Sequence, residues 1–309
     1  MRSARHEYNT VIEAGSPPRS LLSDALDSLR AHLHSPSIEA RRLARLGWFF
    51  ALSGALFAVL WLLDGAPPLD RPTGWRKPIV FGLSAGATTL SLAALRAQGQ
   101  AMPRWSWAYM LTMSVELALI DMQAWRGVAS HFNTATAFDG AVFSLMGAVI
   151  LGSMLSATVL LVDATRAQRE ADLRLSNALA TAALIAGTAV GIAIAVHGSA
   201  AQATGGVPSR LGAGEWKPVH AIALHGLQLF PIAAWWLRRG SASMIDRVRA
   251  LWGLGAAWAL LLSASFVQLL LRRAPTDPAP STLALATLAL VIAVASLART
   301  LRAPAEVAS

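Results

Sequence analysis

Residues 176–197 read SNALATAALIAGTAVGIAIAVH, twenty-two positions without an Asp, Glu, Lys or Arg. At 1.5 Å of rise per helical residue, such a run is long enough to cross the roughly 30 Å of hydrocarbon in a bilayer. Comparable runs occupy 47–63, 78–96, 105–125, 137–162, 218–237, 250–271 and 281–299. The chain therefore reads as all-α, a polytopic membrane protein with about eight transmembrane helices. The composition agrees: 55% of the residues are hydrophobic and only 14% charged, where a soluble domain carries about 25% charged residues.

The first forty-odd residues are polar and contain no short apolar core followed by a small-residue cleavage site, so no cleaved leader is expected. Eighteen Lys and Arg fall on the side of the N-terminus and eight on the other. The positive-inside bias then gives both termini in the cytoplasm. The net charge of +9 follows from this asymmetry and from contact with anionic headgroups, and is not read as a nucleic-acid footprint. Three regions are expected: a cytoplasmic tail over 1–44, a transmembrane domain over 45–302 and a short cytoplasmic tail over 303–309. In the first tail Leu21, Leu22, Ala25, Leu26, Leu29 and Leu33 recur at helical spacing after Ser20, as in an amphipathic helix lying on the membrane surface. Ser35-Pro36 is expected to start the next helix. There are no cysteines, which excludes disulfides and thiolate metal sites.

Of the twenty-six basic residues only two are lysines, and both stand in the same phrase: Gly74-Trp75-Arg76-Lys77-Pro78 and Gly214-Glu215-Trp216-Lys217-Pro218. Each phrase opens an apolar run, and the two runs lie four spans apart, entering the membrane in the same direction. A parallel four-plus-four repeat produces this pattern. So do interfacial Trp and Lys anchors with Pro in the first helical turn.

Four histidines, His131, His197, His220 and His225, fall at or near the outer face in this topology. The third span adds Glu116 and Asp121 within the hydrocarbon region. An unpaired ionisable group there costs at least about 2.5–3.5 kcal/mol on insertion scales, so it should face the bundle interior with a partner. Glu116, Gln123 and Gly127 share one helical stripe, whereas Asp121 lies about 140° away. The second span offers a matching stripe of Lys77, Ser84, Thr88 and Ser91. His220 and His225 are five positions apart, one too many for a zinc-binding His-x-x-x-His pair on a regular helix. A metal such as zinc would instead draw on His131, His220, His225 and Glu116; haem ligation by two histidines and proton handling by Glu116, His131 and His225 are the other readings. No phosphate-cradling Gly-rich loop and no Gly-x-Ser-x-Gly elbow is present. Gly187-x-x-x-Gly191 reads as close helix packing.

The stretch from Glu116 to Asn133 (Glu-x(6)-Gln-x-x-Arg-Gly-x-x-x-Ser-His-Phe-Asn), followed by Thr134, Thr136 and Asp139, resembles an uncharacterised family of bacterial multi-pass membrane proteins. So do the Lys-Pro-x-x-Phe-x-x-Ser pattern at 77–84 and the Pro-x-His-x(4)-His-x-x-Gln pattern at 218–228. The resemblance implies a bacterial inner-membrane location and no particular activity. A weaker likeness is to the membrane hydrolases that hold zinc through three histidines, including alkaline ceramidases and adiponectin-receptor-like proteins. Their His-x-x-x-His pair is one residue shorter than the spacing here.

The expectation is a polar pocket facing the periplasm. Glu116, His131 and His225 would carry the chemistry, and Lys77, Gln123, Arg126, Asn133, Lys217 and Gln228 would bind a small molecule bearing an anionic group. A hydrolytic or redox role, a proton- or ion-coupled carrier using Glu116 at mid-membrane, and a structural membrane subunit all remain open at this stage.

Overall fold

The computed structural model describes residues 37–69, 74–96 and 101–302. The amphipathic helix expected near 20–33 and the C-terminal tail lie outside them. Among the described residues eight long helices follow one another: α1 (Ile38–Leu63), α2 (Arg76–Arg96), α3 (Pro103–Trp125), α4 (Ala137–Ala167), α5 (Ala171–Ala203), α6 (Trp216–Leu237), α7 (Met244–Leu270) and α8 (Pro280–Arg302). A two-residue antiparallel hairpin, β1 (Arg210–Leu211) with β2 (Gly214–Glu215), pairs Arg210 with Glu215 just before α6. α1 opens at Ile38, where the Ser37 hydroxyl accepts from the Ala40 amide at 3.3 Å and so caps the first turn; the start expected at Ser35-Pro36 lies outside the described residues.

Six of the helices are long and apolar enough to cross a membrane, which makes this a multi-pass membrane protein. The two that fall short are α3 and α6. They carry Glu116, Asp121 and Gln123, and Lys217, His220, His225 and Gln228, so the candidate polar residues are what lower their hydropathy. Both helices are flanked on several sides: α3 by α1, α2 and α4, and α6 by α2, α5 and α7. At the periphery α8 leaves Leu283, Leu288, Leu290, Val291 and Val294 exposed, an apolar surface suited to lipid.

Consecutive helices pack as antiparallel hairpins, with α1–α2, α3–α4, α5–α6 and α7–α8 the most extensive contacts. α1 and α2 approach so closely that a Cβ on Gly82 would lie 2.7 Å from the Gly54 Cα. Small residues at such a seam let backbones meet and gain dispersion contacts where no water can drive association. α5 receives α6 in the same way: a Cβ on Gly187 would strike the Leu224 side chain at 2.3 Å, and one on Gly191 would lie 3.2 Å from the His220 ring. The largest core cluster joins Phe50, Leu92, Tyr109, Leu160, Leu184 and Leu227 from α1 through α6.

At the end where α1 begins, buried ion pairs tie the hairpins together. Arg96, 2% exposed, bonds Asp163 of α4 and reaches Glu39 of α1 at 3.4 Å. Glu39 also accepts from the Met102 amide at 3.2 Å and the Ser106 hydroxyl at 3.0 Å. On the same end Asp172, fully buried, receives Arg247 at 2.7 Å and Arg238 at 3.5 Å. The opposite end, where α2, α4, α6 and α8 begin, carries the candidate site.

Candidate functional site

The site is built on the turn that closes α3. Gly127, at φ 69°, takes the left-handed conformation that stops the helix, with its amide bonded to the Ala124 carbonyl at 3.0 Å and the Val128 amide to the Gln123 carbonyl at 3.1 Å. This double bond is the Schellman arrangement, and it reverses the chain toward the bundle. Five residues later Phe132 also has positive φ, 58°, unusual for a bulky residue. Its ring packs onto Gly198 of α5 and lies 5.1 Å from Phe143. With the loop anchored there, Ser130 and His131 are directed inward: Ser130 is 4% exposed, and His131 sits between Phe81 of α2 and Phe143 of α4 at ring distances of 5.5 and 6.3 Å.

These placements create one continuous polar line. Lys77 Nζ donates to Ser130 Oγ at 3.1 Å; Ser130 Oγ is 3.0 Å from His131 Nδ1; His131 Nε2 is 3.7 Å from Glu116 Oε1. An ammonium group only donates, so the Ser130 hydroxyl proton is free to point at His131 Nδ1, which places the imidazole proton on Nε2, aimed at Glu116. Glu116 is 1% exposed, and its Oε2 has no hydrogen-bond partner among the described residues. Burial pushes the His131 imidazole down to about 3, and the Lys77 charge adds to the effect, so the ring is neutral at neutral pH.

Gln123 and Arg126, expected at the binding pocket, close instead on Asp139 at the start of α4. Gln123 Nε2 donates to Asp139 Oδ1 at 3.1 Å, and Arg126 reaches the same oxygen at 2.6 Å and bonds Gln123 Oε1 as well. Thr136 caps α4 by accepting from the Asp139 amide at 3.1 Å, and its hydroxyl donates to Asp139 Oδ2 at 2.7 Å. The group pins α3 to α4 beside the site. Asn133 Oδ1 accepts from the Ala135 amide at 3.1 Å and shapes the turn.

On α6 the residues separate by face. His220 lies over the Gly187–Gly191 stripe of α5, His225 and Lys217 are exposed, and Gln228 is half-buried with its Oε1 unpartnered among the described residues. Among the described residues no three His, Asp or Glu side chains come together to hold a metal ion. His131 and Glu116 form a pair, while His220 and His225 stand apart from it, so the four residues expected to share a zinc ion are not gathered as one ligand set. Ser130, which links Lys77 to His131, is the residue that spacing did not single out; its position between the Gly127 turn and His131 is the signal that marks it.

Comparison with family models, curated proteins and solved structures finds no match in any of the three.

Proposed function

We propose that this chain is a bacterial inner-membrane protein that binds a small anionic molecule on its periplasmic face and exchanges a proton with it through Lys77, Ser130, His131 and Glu116. The observation that carries the reading is Glu116 itself: a carboxylate with one oxygen 3.7 Å from an imidazole nitrogen, the other unpartnered, and 1% exposure. Its Cα is nine residues from the end of α3, about 13 Å along the helix axis. A carboxyl group at that depth is costly unless it has a task and a partner.

The chemistry is a proton shift along the line. Lys77 gives a proton to Ser130, Ser130 passes its own to His131 Nδ1, and His131 releases the Nε2 proton to Glu116. The products are a neutral amine and a carboxylic acid, so the charges of the half-buried Lys77 and the buried Glu116 disappear together. Reversal returns the proton to the mouth, where a bound anion meets it. His131 bridges the two ends because each imidazole nitrogen can accept while the other donates.

Zinc would need donors beyond one imidazole and one carboxylate, and among the described residues no third His, Asp or Glu joins His131 and Glu116. The carrier reading draws on the depth of Glu116. Infrared difference spectra between acid and neutral pH test the proposal: a carboxylic-acid band that vanishes in Glu116→Gln and moves in His131→Gln supports it, and a Glu116 insensitive to His131 sinks it. Vesicles with an entrapped pH dye then separate a one-sided site, which moves no net protons, from a carrier, which does.

A further inference from the structure

We infer that the cavity where the end of α1, the start of α2 and the end of α3 meet binds the headgroup of a zwitterionic phospholipid, its ammonium against Asp64 and its phosphate against Arg76. The inference goes beyond the proton line and does not depend on it.

The cavity has a volume of about 400 Å³, and Trp61, Asp64, Pro67, Trp75, Arg76 and Gly127 are among the residues that line it. None of Lys77, Ser130, His131 and Glu116 does, so the two sites are separate. A Cβ on Gly74 or Gly127, both in the wall, would meet no described atom within 4 Å. The cavity is therefore open at its mouth.

Its aromatic walls are fixed by bonds within the protein. A tryptophan that only anchors a helix at the headgroup level turns its N–H outward. Here Trp61 Nε1 donates to the Pro67 carbonyl at 2.8 Å, and Trp75 Nε1 donates to Asp64 Oδ2 at 2.8 Å. Trp75 also stands edge-on to Trp125 at 5.3 Å and lies 6.0 Å from Phe57, which is buried. The indoles of Trp61 and Trp75 thus line the cavity in held positions, and an indole face attracts a cation.

The two charges in the wall have opposite signs and do not pair. Asp64 is the C-cap of α1, whose last turn has no basic residue, and its second carboxylate oxygen has no bond among the described residues. Arg76 opens α2 and likewise has no acid within 4.0 Å among the described residues. Asp64 adds negative charge to the carbonyl end of α1, and Arg76 adds positive charge to the amide end of α2. One cavity therefore presents a negative pole and a positive pole. A ligand that satisfies both carries an ammonium group, which donates to the free carboxylate oxygen, and a phosphate, which accepts from the planar guanidinium.

The surface of α2 favours a lipid over a soluble zwitterion. Arg76, Val80, Leu83 and Ala87 recur at i, i+4, i+7 and i+11 and so share one face of the helix. Val80 is 49% and Leu83 45% exposed. A guanidinium at the mouth with bare aliphatic side chains along the same face matches a phosphate head followed by acyl chains.

The test uses full-length protein in a maltoside detergent, titrated with dihexanoyl phosphatidylethanolamine, dihexanoyl phosphatidylglycerol or glycerophosphoethanolamine, the bound fraction being read by native mass spectrometry. Phosphatidylethanolamine should bind saturably and about tenfold more tightly than phosphatidylglycerol, which lacks the ammonium. Asp64→Asn should bring phosphatidylethanolamine down to the level of phosphatidylglycerol, and Arg76→Gln should weaken both lipids by about tenfold. Asp277→Asn, which changes another exposed acid at the same end, should leave the preference intact. A lost preference with phosphatidylglycerol binding retained is not what a misfolded chain gives, and thermal unfolding of each variant checks the fold. Equal affinity for the two lipids in the parent chain overturns the inference, as does a preference that survives Asp64→Asn. Glycerophosphoethanolamine binding as tightly as the lipid makes a soluble zwitterion the occupant and overturns the lipid assignment.

Discussion

Glu116 Oε1 faces His131 Nε2 at 3.7 Å, although one residue lies deep in α3 and the other on the loop that follows it. The loop reaches down because Gly127 reverses the chain and Phe132 wedges against Gly198. Asp121, on the same helix, has no such partner among the described residues. Glu116→Gln should therefore lower proton exchange by at least tenfold, while Asp121→Asn changes it less than twofold; infrared titration or dye-loaded vesicles measure both. Equal effects would mean that the assignment of the two helix faces is wrong.

The neutral state of His131 has a consequence for acid stability. In the unfolded chain the imidazole protonates near 6.5, in the fold only near 3. The unfolded state thus takes up the proton first as pH falls, so the stability tied to this ring is complete above about pH 6.5, declines as pH drops toward 3 and then levels off. The loss should total on the order of a few kcal/mol. Unfolding followed across this window should show a flatter pH dependence in His131→Gln than in the parent chain, and identical slopes would refute the assignment.

Gly82 and Gly140 are both helical glycines with opposite surroundings. A Cβ at Gly82 meets the Gly54 backbone at 2.7 Å, whereas one at Gly140 meets nothing within 4 Å. Gly82→Leu forces α1 from α2 and should cost about 1–3 kcal/mol or more. Gly140→Ala should stabilise α4 by up to about 1 kcal/mol. Thermal unfolding in detergent distinguishes the two signs.

Arg96 is held by Asp163 and Glu39 with almost no exposure. Removing one acid leaves a buried guanidinium short of charge, and breaking such a pair typically costs about 3–5 kcal/mol. Asp163→Asn should lower the unfolding midpoint by several degrees, whereas Asp277→Asn, whose carboxylate pairs with Arg273 at an exposed loop, should leave it within error.

The orientation itself is open to a direct measurement, since the chain lacks cysteine. Thr134→Cys, on the site face, should react with a membrane-impermeant maleimide in intact cells, and Ser241→Cys, on the opposite face, should react only after lysis. The reverse pattern would put the site in the cytosol and end the periplasmic proposal.

The sequence by itself determined where the helices run, because hydropathy and helical period are local: the apolar runs fall within α1 to α8, apart from Leu271 just past the end of α7, and the lysine phrases fall at the starts of α2 and α6. It also placed Glu116 and Gln123 on one stripe, and both are buried. What became of that stripe only the tertiary structure decided. Gln123 is taken up by Asp139 and Arg126, Glu116 is left to His131, and His220 and His225 diverge, one over Gly191 and the other exposed. Partners drawn from separate helices and from a loop are set by how closely backbones approach at glycine seams and by where a left-handed turn sends the chain, and neither is encoded in the period of a single helix.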